Sequence, residues 1–322
     1  MKYFKILSIA VVLVFFASCE KEYMKYTQKP EYITNPKPEY QAYFKAYDEA
    51  LSLWDIDYDE LYIPTSYGTA HVVVSGPNNG EPLILLHGMN ASSTMWYPNA
   101  KTLAEDYRVF AIDLIIEPGK SFKTAEFEDV ENITAWYEEI FKALKLESYH
   151  LVGASRGGWI AVNLALHNQE KIKSMVLLSP AQTFIWIRPS MNLMKNIVNL
   201  LSSPEKQAWR SLETLSSNPG NIDKKYLKQY YIGTKKDSIN KFMMKMMPFS
   251  KKDFQSLKMP VLLLIGDDDM INNEKSIRLA KNDIAKGNGQ IVYNAGHFLS
   301  IDQADTVNKK IIDFLKSTEE ND

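Results

Sequence analysis

Short apolar runs recur along most of the chain, and segments with helical periodicity separate most of them. Helical patterns at 129–145 and 156–167 are two of the separating segments. Continuous apolar strands that alternate with helices are typical of a parallel sheet covered on both faces. The pattern therefore predicts an α/β fold with a mostly parallel central sheet. The runs are rich in Val, Ile and Leu and lie at residues 82–88, 107–114, 148–155, 174–180 and 260–267.

Two regions depart from this alternation. Residues 39–54 have a helical pattern, and strand-like stretches follow it near 57–64 and 70–75. Residues 181–258 contain helical patterns and no convincing strand, which predicts a helical insertion after the sixth strand of the core. Two apolar stripes in the insertion either pack on the main domain or form a lid over an apolar ligand. The stripes are Met191, Met194, Val198 and Leu201, and Phe242, Met243, Met246 and Met247.

The first residues have the pattern of a secretion signal. Lys2 and Lys5 precede an apolar-rich stretch at 6–18, which is too short to span roughly 30 Å of hydrocarbon as a helix. The stretch ends in Phe-Ala-Ser-Cys, which resembles a bacterial lipobox, so Cys19 is the expected lipid attachment site. We expect residues 1–18 to be a lipoprotein signal peptide and residues 19–38 a tether. The predicted location is the bacterial cell envelope. Whether the protein faces the periplasm or the cell surface is left open.

Composition narrows the range of partners. The formal net charge is -2 and the pI is about 6.3, so no broad cationic surface for nucleic acid is expected. Gly119-Lys120-Ser121 imitates the end of a phosphate loop, but Leu114 stands where that loop needs a glycine. No cysteine and histidine cluster suggests a metal site. We therefore expect neither a cofactor nor a metal, and the oligomeric state is left open.

The candidate chemistry begins with Ser155 in the segment LVGASRGG at 151–158. Gly153-Ala154-Ser155-Arg156-Gly157 follows a buried-type strand and opens a helical segment. This is the context of a nucleophile elbow, in which a tight turn lifts the serine hydroxyl clear of the sheet. The alternative is a tight turn with an idle serine.

An activated serine needs a base and a carboxylate. In this architecture the base follows the nucleophile, which leaves His167 and His297. Helical rise places His167 about 18 Å from the serine, so His297 is the predicted base. The run of aspartates at 267–269 supplies the carboxylate, and Asp269 is preferred because the third residue beyond Gly266 is best placed to turn inward. We expect Asp267 and Asp268 to face solvent or to cap the next helix.

Hydrolysis also needs two donors for the oxyanion that forms when the serine attacks a carbonyl. The backbone N–H of Arg156 is one candidate. Gly88 permits a close approach of the loop after the strand at 82–88, so the backbone N–H of Met89 is the other. We expect His87 to brace this loop.

Four motifs in this order resemble the α/β-hydrolase superfamily: LLHGMNASSTMW, GASRGG, IGDDD and NAGHFLSIDQ. The stretches SSTMWYPN and LSPAQTF resemble naproxen-ester-type carboxylesterases. The resemblance covers about residues 39–317 and implies a core at 39–180 and 259–322 with a helical lid at 181–258. It implies a serine esterase with Ser155, Asp269 and His297 as triad and Met89 and Arg156 as oxyanion donors. We expect small to medium apolar esters in a pocket that includes Trp96, Met243, Met246 and Met247.

The chain departs from the family pattern at two places. Members often carry Asp-x-x-Gly-x-Gly after the fourth strand, whereas this chain has DLIIEPGKS from Asp113 to Ser121. The variable elbow position is often apolar but is Arg156 here. We expect its side chain to reach solvent or a lid carboxylate, or else an anionic group of the substrate.

Two functions remain open at this stage. The first is a carboxylesterase that works through an acyl-serine intermediate; the same residues can also serve thioester, amide, carbon–carbon or perhydrolytic chemistry. The second is a lipid-anchored ligand-binding receptor on the same fold with slow or no turnover.

Overall fold

A computed structural model describes residues 25–127, 129–187, 204–234 and 245–319. Nine strands form one sheet in it, which agrees with the predicted α/β class. None of the helices in these ranges has the length and apolar character that crossing a membrane requires. The strands are β1 (Tyr58–Thr65), β2 (Gly68–Ser75), β3 (Glu81–Leu86), β4 (Tyr107–Ile112), β5 (Phe122–Lys123), β6 (Tyr149–Ala154), β7 (Ile172–Leu178), β8 (Val261–Gly266) and β9 (Gly287–Val292).

The strand order is β1-β2-β4-β3-β6-β7-β8-β9, and β5 pairs with β2. All pairs from β4 to β9 are parallel, whereas β1, β2 and β5 form the antiparallel end of the sheet. The carboxyl ends of β3, β6, β7 and β8 therefore meet at one edge. Open α/β sheets bind their ligands at this edge.

Helices cover the sheet. Val130–Ala143 carries six buried residues, including Trp136, and begins with a capping box formed by Asp129 and Asn132. The α-helices are α1 (Glu31–Thr34), α2 (Pro38–Leu51), α3 (Ala100–Leu103), α4 (Val130–Ala143), α5 (Arg156–His167), α6 (Pro204–Leu215), α7 (Lys224–Thr234), α8 (Lys251–Ser256), α9 (Glu274–Asp283), α10 (Leu299–Asp302) and α11 (Ala304–Glu319).

Two apolar clusters form the core. One contains Trp136 and Ile160 from α4 and α5, and the other contains Tyr47 from α2 and Leu315 from α11. Alternate residues of the same strand enter different clusters, as Ile84 and Leu85 do in β3. The near-continuous apolar runs in the sequence are therefore strands buried on both faces.

The predicted insertion at 181–258 has α6, α7 and α8 among its described residues, and these residues contain no strand. Helix α7 packs on α2, where the buried Gln229 donates to the Tyr43 hydroxyl (3.0 Å) and to Ser92 Oγ (2.7 Å). This part of the insertion therefore packs on the main domain. Of the two apolar stripes, only Met246 and Met247 lie within the described residues, so the choice between packing and a lid stays open for the stripes. The function of 181–258 as a lid stays a prediction.

The predicted tether at 19–38 needs correction for its described residues. The carbonyl of Tyr26 accepts a hydrogen bond from the Tyr62 amide of β1 (2.7 Å), and Tyr32 stacks on Phe122 with ring centroids 4.7 Å apart. The Tyr32 hydroxyl also donates to the Lys120 carbonyl (3.0 Å). The polar composition suggested a free spacer, but these aromatic side chains dock residues 25–34 on the domain. Cys19 lies outside the described residues.

Candidate active site

Ser155 lies in the turn between β6 and α5, with φ 50° and ψ −115°. A non-glycine residue with positive φ is strained, and such strain persists where the surroundings hold it. The adjacent glycines allow this turn because side chains there would collide with backbone. A Cβ at Gly157 would lie 2.0 Å from the Leu86 carbonyl oxygen, and one at Gly153 would lie 2.4 Å from that of Gly157. The glycines let α5 begin directly against β3, with the serine at the edge of the sheet.

The structure brings Ser155, His297 and Asp269 together across 142 residues of sequence separation. Ser155 Oγ lies 2.9 Å from His297 Nε2, and His297 Nδ1 lies 3.1 Å from Asp269 Oδ1. Both contacts fall within the hydrogen-bond range of a nucleophile, a base and the group that orients the base. This arrangement can pass the serine proton to the imidazole.

Asp269 is held by further donors. Its carboxylate accepts hydrogen bonds from the backbone N–H of Ile271 (2.9 Å) and from Asn272 Nδ2 (3.1 Å), and its side chain is fully buried. Burial by itself would raise the pKa of Asp269. The His297 side chain and the hydrogen bonds to the carboxylate outweigh it and lower that pKa below its ordinary value of 3.8. The carboxylate is therefore ionised at neutral pH and can stabilise a protonated His297.

The two neighbouring aspartates are exposed, as expected. Asp267 accepts a hydrogen bond from the Ala295 amide (3.0 Å), and Asp268 accepts one from the Ser217 hydroxyl (3.3 Å). Neither caps the next helix, because Asn273 is the N-cap of α9. Of the two expected alternatives, exposure to solvent is therefore the one that holds.

Asp302 holds the histidine loop and was not identified from the sequence. Its buried carboxylate accepts from the backbone N–H of Gly296 (2.8 Å) and of Ser217 (2.9 Å), and from the Ser216 hydroxyl. The residue before His297 is thereby joined to the insertion. The available signal was an aspartate in the motif NAGHFLSIDQ, five residues after the histidine.

The loop after β3 approaches the serine closely. A Cβ at Gly88 would lie 3.2 Å from Ser155 Cβ. The buried His87 braces the loop as expected, because its Nε2 accepts from the Leu114 amide (2.8 Å) and its Nδ1–H donates to the Gly88 carbonyl (2.8 Å). Burial lowers the pKa of His87, which favours the neutral ring that this pattern requires. A trans peptide points its carbonyl and its N–H in opposite directions, so the bond to the Gly88 carbonyl also orients the Met89 amide.

The expectation that the Arg156 side chain reaches solvent is wrong. The side chain is buried, and its guanidinium pairs with Glu117, which follows β4 and lies outside the insertion. Side-chain exposure is 1% for Arg156 and 0% for Glu117. The pairing also removes the basis for an Arg156 contact with an anionic substrate group.

The predicted pocket residues have different environments. Trp96 is fully buried in the core, Met246 is buried, and Met247 is 59% exposed. Met243 lies outside the described residues. That these side chains bind the substrate stays a prediction.

One group of side chains in the described residues has the spacing of a metal site: Glu81, His150 and Glu319. Lys173 pairs with Glu81, and the Tyr107 hydroxyl donates to Glu319 (3.1 Å). The group lies at the start of β6, about 17 Å along the strand from the serine. No local sequence pattern indicates this group, because its members are far apart along the chain.

Known proteins share this arrangement of elements. A model of the alpha/beta hydrolase fold matches residues 81–203. The carboxylesterase YbfK of Bacillus subtilis is 31% identical over 282 residues, which cover 85% of this chain and 93% of that protein. Naproxen esterase of Bacillus subtilis superposes with a TM-score of 0.80 at 29% identity, covering 87% of this chain and 99% of that one.

A more distant structure agrees on the fold. A meta-cleavage product hydrolase from Pseudomonas fluorescens has a TM-score of 0.65 at 20% identity, covering 78% of this chain and 95% of that one. The relatives confirm the resemblance that the four motifs indicated. With a curated relative above 30% identity along nearly its whole length, the chain belongs to the α/β-hydrolase family.

Proposed function

We propose that this protein is a serine hydrolase that cleaves small to medium apolar carboxylic esters, with Ser155 as nucleophile, His297 as base and Asp269 as the orienting carboxylate. The observation that carries the proposal is the continuous relay from Ser155 Oγ through His297 to Asp269, at 2.9 and 3.1 Å. The carboxylesterase relatives favour an enzyme over a ligand-binding receptor. The likeness to naproxen esterase supports an apolar acyl group.

In the proposed reaction Ser155 Oγ bonds to the ester carbonyl carbon while its proton moves to His297 Nε2. The backbone N–H groups of Met89 and Arg156 donate to the oxyanion that forms. Collapse of this intermediate breaks the carbon–oxygen bond to the alcohol, which leaves with the proton from His297. Water then repeats the sequence on the acyl-serine, the carboxylic acid is released and the serine is regenerated.

A series of p-nitrophenyl esters of increasing acyl length tests this proposal. We expect rapid cleavage by the wild type, and at least a 10³-fold loss of kcat in Ser155→Ala, on the order of the loss when a triad member is removed. A fluorophosphonate probe should label the wild type and leave Ser155→Ala unlabelled. Stoichiometric ester binding without turnover would instead support the receptor.

We also propose that Cys19 carries a lipid and that the protein is anchored in the bacterial cell envelope. The support is the pattern of Lys2, Lys5, an apolar stretch and the Phe-Ala-Ser-Cys motif. Metabolic labelling with an alkyne fatty acid in the native host tests it. We expect label and membrane fractionation for the wild type and neither for Cys19→Ala, and a labelled Cys19→Ala protein would contradict the assignment.

A further inference from the structure

The two departures from the family pattern contact each other. Glu117 belongs to the unusual loop after β4, and Arg156 is the unusual residue of the elbow. The Glu117 Oε1 atom pairs with Arg156 Nη1, and neither side chain has appreciable exposed surface. A buried charge is costly unless it is paired, so each of these residues requires the other.

The second carboxylate oxygen of Glu117 reaches the loop after β3. Glu117 Oε2 accepts a hydrogen bond from the backbone N–H of Asn90 at 2.8 Å. His87 donates to the Gly88 carbonyl on the other side of Met89. The two peptide groups that flank Met89 are therefore both held by side chains, and Asn90, which follows them, has a left-handed φ of 58°.

One carboxylate thus joins the two segments that supply the proposed oxyanion donors. Arg156 is the first residue of α5 and supplies one amide, and Met89 supplies the other. We infer that Glu117, through its bonds to Arg156 and Asn90, is a positioning residue that sets the separation and direction of the two oxyanion donors. This inference rests on the proposed hydrolase function.

The chemistry of oxyanion stabilisation explains why such a connection matters. Backbone donors stabilise the transition state only when they already point to the position that the oxyanion will occupy. Substrate in the ground state gains less from the same geometry, so loosening it lowers kcat more than it changes KM. A role in stability alone would lower the unfolding temperature and leave kcat of the folded enzyme unchanged.

The test compares three variants. Glu117→Leu/Arg156→Leu removes both charges and keeps apolar volume, which for a buried pair is often neutral for stability. Glu117→Gln keeps an acceptor for Asn90 but removes the charge opposite Arg156. Arg156→Lys keeps a positive charge opposite Glu117. A fluorophosphonate titrates the active sites, so that kcat and KM are obtained per active enzyme. Inhibition by phenylboronic acid is measured as well, because the tetrahedral adduct of the boronate on Ser155 places an oxygen between the two donors.

We expect the double variant to lose kcat by about 10- to 100-fold, below the full effect of deleting a donor. Its KM should stay within about threefold, and its boronate affinity should fall in parallel with kcat. Glu117→Gln should lose about fivefold in kcat and in boronate affinity. Arg156→Lys should retain most of the wild-type activity. The control Glu81→Gln/Lys173→Gln removes an ion pair at the opposite end of β3 and should lower stability without changing kcat.

Wild-type kcat and boronate affinity in Glu117→Gln would overturn the inference, whether or not the double variant folds. Loss of stability with unchanged kcat per titrated site in the double variant would overturn it as well. An inactive wild type, or a fully active Ser155→Ala, would overturn the proposed function and this inference together. Active wild type with an inactive Ser155→Ala and unaffected Glu117 variants would overturn this inference alone.

Discussion

At the scale of single residues, the site depends on close contacts between backbone atoms. The elbow holds Ser155 at positive φ, and glycines at 153, 157 and 158 leave no room for a Cβ. A methyl group at Gly158 would lie 2.7 Å from the Pro180 Cβ. Each glycine therefore allows a closer approach of helix and sheet, although ordering a glycine on folding costs more backbone conformational entropy than ordering another residue.

We expect Gly157→Ala to destabilise the protein by about 2–3 kcal/mol, because its Cβ would lie 2.0 Å from the Leu86 carbonyl oxygen. This outweighs the roughly 1 kcal/mol that alanine gains over glycine inside a helix. Urea unfolding measures the change. Gly220→Ala is the matched control because no atom lies within 4 Å of its added Cβ, and an equal loss there would contradict the steric explanation.

Asp269→Asn should lower kcat by about 10³–10⁴-fold with little loss of fold, because an amide neither holds the required tautomer of His297 nor stabilises its cation. Steady-state ester hydrolysis measures the effect. Asp268→Asn is one residue away, exposed and in contact with Ser217, and should keep wild-type activity. A larger effect of Asp268→Asn than of Asp269→Asn would refute the choice of carboxylate.

At the scale of elements, the loop at 113–121 supports the others around the site. Its backbone donates to His87 through the Leu114 amide, and its Glu117 side chain contacts Asn90 and Arg156. Asp113 accepts from the backbone N–H of Ser93 (2.8 Å). The loop after β4 therefore fixes the loop after β3 and the start of α5 without supplying a reacting group.

Asp302 has a similar role for the histidine loop. We expect Asp302→Asn to destabilise the protein by about 1–3 kcal/mol and to lower kcat. The Gly296 and Ser217 amides both donate to Oδ2 and would lose a charged acceptor, and an NH2 group in place of Oδ1 could not accept from the Ser216 hydroxyl and the Asn218 amide. Thermal unfolding and ester hydrolysis check both effects. Asp305→Asn, exposed in the first turn of α11, is the control and should change neither by much. Unchanged kcat in Asp302→Asn would show that the loop holds its geometry without this carboxylate.

Sequence reasoning predicted elements better than side-chain partners. The helix predicted at 156–167 matches α5 residue for residue, and the run at 107–114 contains β4. These predictions succeed because the local spacing of apolar residues reflects which side of a helix or strand is buried. Chain order and strand context were enough to select Ser155 and His297. The partners of Glu117, Arg156 and Asp302 depend on distances between loops that are far apart in sequence. No local pattern contains those distances.

At the scale of the whole molecule, a buried charge network joins helix α2 to the sheet. Asp113 contacts His71 Nδ1 (2.9 Å), and Glu60 contacts His71 Nε2 (3.1 Å). Lys120 pairs with Glu60 and with Asp48 of α2. Two buried cations face Asp113 and Glu60 when His71 is protonated, so the network is close to charge balance in that state.

Burial would lower the pKa of His71, but Asp113 and Glu60 outweigh burial and raise that pKa above its ordinary value of 6.5. The protonated ring therefore stabilises the fold fully below about pH 6.5, and this contribution disappears as pH rises through the raised pKa. We expect His71→Gln to be less stable by about 3 kcal/mol near pH 6. The gap should narrow at higher pH.

Urea unfolding of wild type and His71→Gln from pH 5.5 to 9 measures this gap. His167→Gln, at the exposed end of α5 beside Glu138, is the control and should change stability by less than about 1 kcal/mol at every pH. A gap that widens with pH would show that His71 is neutral in the folded protein.

If Cys19 carries a lipid, as proposed, the docking of residues 25–34 would limit how far the domain can move from the membrane. Only residues 20–24 separate Cys19 from the docked segment, and the six residue steps from Cys19 to Lys25 span at most about 22 Å. An acylated Cys19 would thus keep the edge of β1 within a short radius of the bilayer surface, far less than a 19-residue spacer would allow. Hydrolysis would then take place within about one domain diameter of the lipid headgroups, and substrates would have to diffuse into that zone.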